Sequence, residues 1–333
     1  MNEFRQDMIS GLWVLFATNR ARRPGDPIVC EALDKSKDVC PFEDLEISGN
    51  KVEKTYLNKS GDDWLVKVIS NKYPAVDRSK TTREPKQIKA DFFNVVEAGG
   101  YHEVFVFRNH DKVLADYNSD EMAEVFGVYR DRFHHVVDNT SSKYILVFTN
   151  YGIKAGGTLF HPHSQIISTS VIPLSAQNSL RDAEDYFVKN SQKPYDKMIE
   201  WEISEAKRII YENEDFVAFC PFVSRVPYEI RIFPKDSTSH FWKTDDSKLP
   251  DLGRAVSTVL GKMSKALKYP DYNFFIHSAP VYDKSDKFDD YYTWHIEIMP
   301  KVEFVGGFEI GSGVYINAID PDEAAKLFRE TEI

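Results

Sequence analysis

The order of structural signals in this chain recurs, and that recurrence limits what it can fold into. Tyr101-His102-Glu103-Val104-Phe105-Val106-Phe107 alternates as a strand, and Tyr228-Glu229-Ile230-Arg231-Ile232-Phe233 does so about 130 residues later. A helical stretch follows each, at about 120–137 and about 247–267. Strand signals come next, at Tyr144 to Thr149 and at Asn273 to His277. Each series closes on a histidine-bearing strand, His161-Pro162-His163 in one and His295-Ile296-Glu297 in the other. The offset is too long for a solenoid repeat, so the spacing predicts a duplicated unit of strands and one main helix. In this alignment Glu297 stands where the first unit has His163. Only one unit is then expected to carry a histidine nucleophile.

The remaining segments fill in around this frame. Gly11-Leu12-Trp13-Val14-Leu15-Phe16-Ala17 alternates, whereas residues 25–60 read as loops. Residues 78–90 carry charge without apolar periodicity, and residues 176–210 look helical and charged. Ser119 and Asp120 are expected to cap the first main helix, with Met122, Val125, Phe126, Tyr129 and Phe133 on its apolar face. Of 333 residues, 42% are hydrophobic and 14% aromatic, enough for a globular core. The net charge of −10 argues against non-specific binding to nucleic acid or an acidic membrane. Cys30, Cys40 and Cys220 are too few and too scattered for a disulfide framework. With no membrane-length apolar run and no secretory leader pattern after Met1, the cytoplasm is the expected compartment.

The run that carries chemistry is Gly156-Gly157-Thr158-Leu159-Phe160-His161-Pro162-His163-Ser164-Gln165. On an extended strand, His161, His163 and Gln165 would share one face. Glycines let a phosphate approach backbone N–H groups. An imidazole beside such a cradle points to phosphorus chemistry, with nucleotidyl transfer through a histidine-bound intermediate as the leading reading.

Several segments together resemble the galactose-1-phosphate uridylyltransferase family, the duplicated branch of the histidine-triad superfamily. They are Gly11-Leu12-Trp13-Val14, Asn19-Arg20-Ala21-Arg22-Arg23-Pro24, Cys40-Pro41-Phe42, the His161-to-Gln165 run, Cys220-Pro221-Phe222-Val223-Ser224-Arg225, Trp294-His295-Ile296-Glu297 and Gly307-Phe308-Glu309-Ile310-Gly311-Ser312-Gly313. The resemblance implies an α+β fold of two tandem histidine-triad-like halves, antiparallel sheets with helices packed against them. Residues 1–175 would carry the nucleophile, and residues 176–333 would form a degenerate half with a sugar-binding loop.

It also implies roles. His163 would attack phosphorus, and Gln165 would donate to the phosphate oxygens. Arg20 and Arg23 would bind phosphate, and Asn150, Gly156, Gly157 and Thr158 would contact the nucleotide phosphates and ribose. Phe304 and Glu309 would belong to the sugar loop, which reaches the other subunit of a homodimer. Ser164 replaces a glycine common in the family; its side chain is expected to face away from the site, with little effect. Glu303 and Phe308 depart from a lysine and a tyrosine of relatives, which leaves the sugar open. Following Phe308, Gly311 to Asn317 reads either as a sugar-phosphate contact or as a turn and strand.

A structural zinc would sit on Cys40, Glu43, His110 and His161, glutamate replacing a second cysteine. Zinc accepts such a donor set, although one thiolate fewer lowers affinity. The other reading is a metal-free cluster packed around His161. A second metal site of some relatives is expected to be degenerate, since Ser179 and Glu297 replace two ligands while His277 and His295 survive. No organic cofactor is implied.

The reaction implied moves UMP from UDP-glucose to galactose 1-phosphate. Phosphorolysis of ADP-glucose or diadenosine tetraphosphate shares the nucleophile. A regulator that binds nucleotide without turnover is the alternative of another class.

Overall fold

The computed structural model describes residues 3–6, 13–16, 33–81, 87–88, 92–281 and 286–333. In chain order its strands begin with β1 (Glu3–Gln6), β2 (Trp13–Phe16), β3 (Val52–Leu57), β4 (Trp64–Ser70), β5 (Gln87–Ile88), β6 (Asn94–Glu97) and β7 (His102–Phe107). Helix α1 (Ser119–Asn139) leads to β8 (Tyr144–Tyr151) and β9 (His163–Thr169). Helices α2 (Leu174–Asn190) and α3 (Pro194–Glu205) precede β10 (Ile209–Glu212), β11 (Phe216–Phe219) and β12 (Ile230–Pro234). Helix α4 (Leu249–Ala266), β13 (Tyr272–His277), β14 (His295–Pro300), α5 (Gly307–Ser312) and α6 (Pro321–Glu330) complete the chain.

Ten strands form one antiparallel sheet in the order β10-β11-β12-β14-β13-β8-β9-β7-β4-β3. The first series reads β3-β4-β7-β9-β8 inward from one edge, and the second reads β10-β11-β12-β14-β13 from the other. These orders are the same, so the duplication expected from sequence is present as a pseudo-two-fold. The two series meet at β8 and β13, which fuse them into a continuous sheet. A small sheet, β2-β1-β6-β5, lies apart from it.

The register corrects the alignment made from sequence. Phe148 pairs with Phe275 across the junction, Phe148 with Gln165, and Phe275 with Glu297. The symmetry therefore relates Gln165 to Glu297 and His163 to His295. Aligning His163 with Glu297 was wrong by two residues. Both residues lie on the same strand face, and a period of two hides such a shift.

Helices α1 and α4 pack together over one face of the sheet. Their close approach needs Gly253, where a Cβ would lie 2.3 Å from the Ser119 carbonyl oxygen. The core beneath is aromatic and aliphatic, with Phe105, Phe126, Phe133, Phe241, Val256 and Trp294 all buried. The cap of α1 is Asn118, not Ser119 or Asp120. Its Oδ1 accepts the Glu121 N–H at 3.0 Å, and Glu121 Oε2 accepts the Asn118 N–H at 2.9 Å. Residues 25–60 are not all loop, because β3 lies within them. Residues 176–210 hold most of α2, all of α3, and the start of β10. The turn-and-strand reading of Gly311 to Asn317 fails: α5 runs to Ser312, and no strand follows.

Candidate active site

Strand β9 starts at His163, so His161 lies just before it rather than sharing its open face. His161 is buried, whereas His163 and Gln165 are partly exposed. The intervening proline has no N–H for a ladder, and the strand's pairing to β7 begins at His163 opposite Val106. The two histidines are thereby separated by role.

The His163 Nδ1 donates to the His161 carbonyl at 2.8 Å. A carbonyl only accepts, so the proton is on Nδ1 and the nucleophilic lone pair is on Nε2. Phe42 packs edge-on against the same ring, with centroids 5.4 Å apart. The symmetry mate His295 repeats this device, its Nδ1 lying 3.0 Å from the Thr293 carbonyl. What separates the two is burial. His295 stacks on Phe233 and His277, at 4.9 Å and 5.0 Å between ring centroids, and burial lowers its pKa. The single-nucleophile expectation thus rests on enclosure of His295, not on replacement by Glu297.

Ser164 faces away from the site, as expected, but it is not inert. It is fully buried, 2.7 Å from the Tyr129 hydroxyl and 2.6 Å from Thr149 Oγ1. Ser164→Ala leaves the buried Tyr129 hydroxyl short of a partner and is expected to cost about 1–3 kcal/mol, measured by denaturant unfolding. Thr149 Oγ1 is bonded to Ser164 at 2.6 Å, so Thr149→Val tests the same network from its other end.

The glycine turn is built by sterics. Gly156 sits at φ 83°, and a Cβ on Gly157 would lie 2.7 Å from the Gly152 carbonyl oxygen and 2.8 Å from that of Asn150. Because those contacts are backbone, Gly157→Ala is expected to destabilise by about 2 kcal/mol or more, whereas Gly156→Ala meets only the left-handed φ penalty of about 1–2 kcal/mol. Thermal melts of the two variants give the comparison. Asn150 is held by Asn273, which the sequence marks only as the start of a strand. Asn273 Nδ2 donates both to the Ala155 carbonyl, at 2.8 Å, and to Asn150 Oδ1, at 2.9 Å. This turns the Asn150 NH2 outward from that contact. A pocket of about 430 Å³ opens here, lined by His163, Asn150, Lys154, Lys35, Leu159 and Phe160 among others.

Three possible metal donors, Cys40, His110 and His161, converge beneath the nucleophile, and Glu43 lies beside the two histidines. His161 Nε2 donates to the Phe107 carbonyl at 2.7 Å, and His110 Nε2 to the Lys35 carbonyl at 3.1 Å. Both Nδ1 atoms are then lone pairs, and they face each other at 3.2 Å. Cys40 Sγ is 3.5 Å from His161 Nδ1, and Glu43 Oε1 lies 2.8 Å and 3.6 Å from His110 Nδ1 and His161 Nδ1. A tetrahedral zinc would space two nitrogens by roughly 3.3 Å and a nitrogen from a sulfur by roughly 3.6 Å. The donor set fits such an ion. Burial pushes the His161 pKa down, which favours the neutral, ligating form. It pushes the Cys40 thiol up, and a cation held there would oppose that shift.

The second group, His277, His295 and Glu297, also converges. Here Glu297 already meets Arg225 at 2.6 Å, Arg231 at 3.2 Å and His277 at 3.1 Å. Burial opposes its charge, but His277, His295 and Arg231 outweigh that and hold its carboxyl well below the usual range. A dication would face two guanidinium groups, a poorer fit than at Cys40.

The other residues expected at the site are scattered. Arg20 and Arg23 lie outside the described residues. Thr158 is exposed at the turn. Phe304 is exposed, with the Lys154 ammonium 5.6 Å from its ring centroid at the pocket. Glu309 is half-buried and accepts the Gly306 N–H at 3.0 Å, closing the first turn of α5.

Fold and site together define a duplicated α+β protein with an oriented histidine at a glycine-bounded pocket. Residues 1–173 match the family model for galactose-1-phosphate uridyl transferase, N-terminal domain, and the chain belongs to this family of enzymes. It is 32% identical to ADP-glucose phosphorylase of Arabidopsis thaliana, over 99% of this chain and 93% of that protein. A crystal structure of an ADP-glucose phosphorylase from Arabidopsis thaliana with bound ADP-glucose matches at 30% identity and a TM-score of 0.77, covering 100% of both chains. Galactose-1-phosphate uridylyltransferase of Thermotoga maritima is 25% identical, over 100% of this chain and 99% of that protein.

Proposed function

We propose that this protein transfers a nucleoside monophosphate from a nucleoside diphosphate hexose to a phosphate acceptor through a nucleotidyl-His163 intermediate. The observation that carries this is the His163 ring, its Nδ1 proton committed to the His161 carbonyl beside the glycine turn. Nε2 attacks the α-phosphorus, a P–N bond forms, and the P–O bond to the hexose 1-phosphate breaks with its electron pair on the departing oxygen. An oxygen of the acceptor phosphate then attacks the same phosphorus, and His163 is released. The Gln165 and Asn150 amides, with the glycine-turn backbone, would steady the phosphate charge. Arg20 and Arg23 would add charge to that set.

Two substrate pairs follow from the family. UDP-glucose with galactose 1-phosphate is the pair its name implies. ADP-glucose with inorganic phosphate is favoured by the 32% identity to ADP-glucose phosphorylase, against 25% to a uridylyltransferase. The departures at Glu303 and Phe308 leave the hexose open. Assays with each nucleotide sugar and each acceptor decide between them: turnover only with UDP-glucose and galactose 1-phosphate would reject the phosphorylase reading. Binding of nucleotide with no covalent adduct would instead support a non-catalytic regulator.

Zinc on Cys40, Glu43, His110 and His161 is part of this reading. When bound it would tie the 33–43 loop to the base of β9 and supply no electron or proton to the reaction. So is a cytoplasmic homodimer of chains divided near residue 175. The apolar residues Phe304, Phe308, Ile310, Val314 and Ile316 are exposed on one segment, as an arm to a second copy would require.

A further inference from the structure

Gln165 can stabilise a phosphate only if its amide presents nitrogen rather than oxygen, and a primary amide has no intrinsic preference between the two. The residue that fixes this is on the neighbouring strand. His102 is buried on β7, and its Nδ1 lies 3.0 Å from the backbone N–H of Ala75. Its Nε2 lies 2.9 Å from Gln165 Oε1. The Ala75 N–H is a donor whose direction the main chain sets, so Nδ1 must accept and Nε2 must carry the proton. That proton is donated to Gln165 Oε1, leaving the Gln165 NH2 as the group turned away from His102. Asn71 Nδ2 lies 3.0 Å from the same Nε2, and Asn71 Oδ1 accepts the Tyr73 N–H at 2.9 Å. The Tyr73 N–H holds the Asn71 oxygen, so Asn71 turns its NH2 toward Nε2 and Gln165 Oε1 is the acceptor left for the Nε2 proton.

We infer that His102 is a positioning residue, relaying the fixed direction of the Ala75 N–H into the orientation of the Gln165 amide. The inference rests on the proposed transfer through His163. It acts on the step in which charge grows on the phosphate oxygens, and it need not contribute to binding the nucleotide sugar. A preset donor avoids reorganisation when that charge develops. The duplication marks the same point from the other side. Glu297 replaces Gln165 by symmetry, and its carboxylate, with two equivalent oxygens, has no orientation to set. It is surrounded by Arg225 and Arg231 instead.

The test is a double-mutant cycle on the full-length protein, reading adduct formation in a single turnover and nucleotide-sugar Kd separately. His102→Phe is expected to slow adduct formation by roughly 10- to 100-fold with Kd changed less than about threefold. His102→Gln, which keeps a donor near the Nε2 position, is expected to recover most of that loss. In a Gln165→Ala background His102→Phe is expected to have no further effect. Equal losses in both backgrounds, or a loss confined to Kd, would overturn the inference. Nitrogen NMR of the histidine rings supplies a reading independent of turnover and of the variants' folding. The Nε2–H tautomer at His102 is expected, and the Nδ1–H tautomer would overturn it. If the wild type forms no adduct, the transfer reading falls by itself, and the tautomer still judges the orientation.

Discussion

Replacing His163 with alanine lowers turnover by at least about 10⁴-fold, a loss of about 5.5 kcal/mol of transition-state stabilisation. The expectation follows from what the ring does. Its Nδ1 proton is committed to the His161 carbonyl, so Nε2 is the nucleophilic atom. Gln165 and Asn150 are amides, and His161 is buried with its Nε2 on the Phe107 carbonyl. The control is His295→Asn. His295 has the same ring-to-carbonyl geometry but is enclosed by Phe233, His277 and Tyr195. That variant is expected to lose stability and to keep turnover within about threefold when assayed below its melting transition. The measurement is steady-state turnover of both variants beside circular dichroism melts. Comparable losses at His163 and His295 would contradict the assignment of a single nucleophile to the first unit.

Removing the proposed zinc has the second-largest expected effect. Two histidine lone pairs facing each other at 3.2 Å repel unless a cation or proton sits between them. The Cys40 sulfur joins them in a three-donor group, and the Glu43 carboxylate lies on the histidine side of that point. Purified protein is therefore expected to carry about one zinc per chain. Stripping it with a strong chelator is expected to cost roughly 2–4 kcal/mol, with restoration on adding zinc. The loss should be smaller than for a zinc finger, because the ten-stranded sheet has its own large core. Its local reach is predictable. His110 Nε2 holds the Lys35 carbonyl and Phe42 packs on His163, so the 33–43 segment should gain hydrogen exchange first. Metal analysis, melting and exchange give independent readings. A metal-free protein whose melting ignores both chelator and zinc would leave the cluster as packed side chains.

Much of this was legible in the sequence because it follows from short-range patterns. The strand periods, the two main helices and the glycine turn are local, and they recur in order. The His161-to-Gln165 run also announced its chemistry. What escaped was set by contacts between distant segments. His102 reads as one more strand residue until the Ala75 N–H and Gln165 are seen on either side of it. Asn273 is ordinary until β13 pairs with β8 and brings it to Asn150. The alignment of His163 with Glu297 failed because residues two apart on a strand share a face, and only the pairing through Phe148 and Phe275 fixes the register. Strand β3 was missed because Val52-Glu53-Lys54-Thr55-Tyr56-Leu57 is an edge strand, mostly exposed, with little apolar alternation to betray it.

The most direct test mixes wild-type protein with UDP-glucose or ADP-glucose in the absence of acceptor and maps the modified peptide by mass spectrometry. One nucleoside monophosphoryl group on His163, removed by adding the acceptor, is the predicted result. Turnover without an adduct, or an adduct on any other residue, would contradict the account.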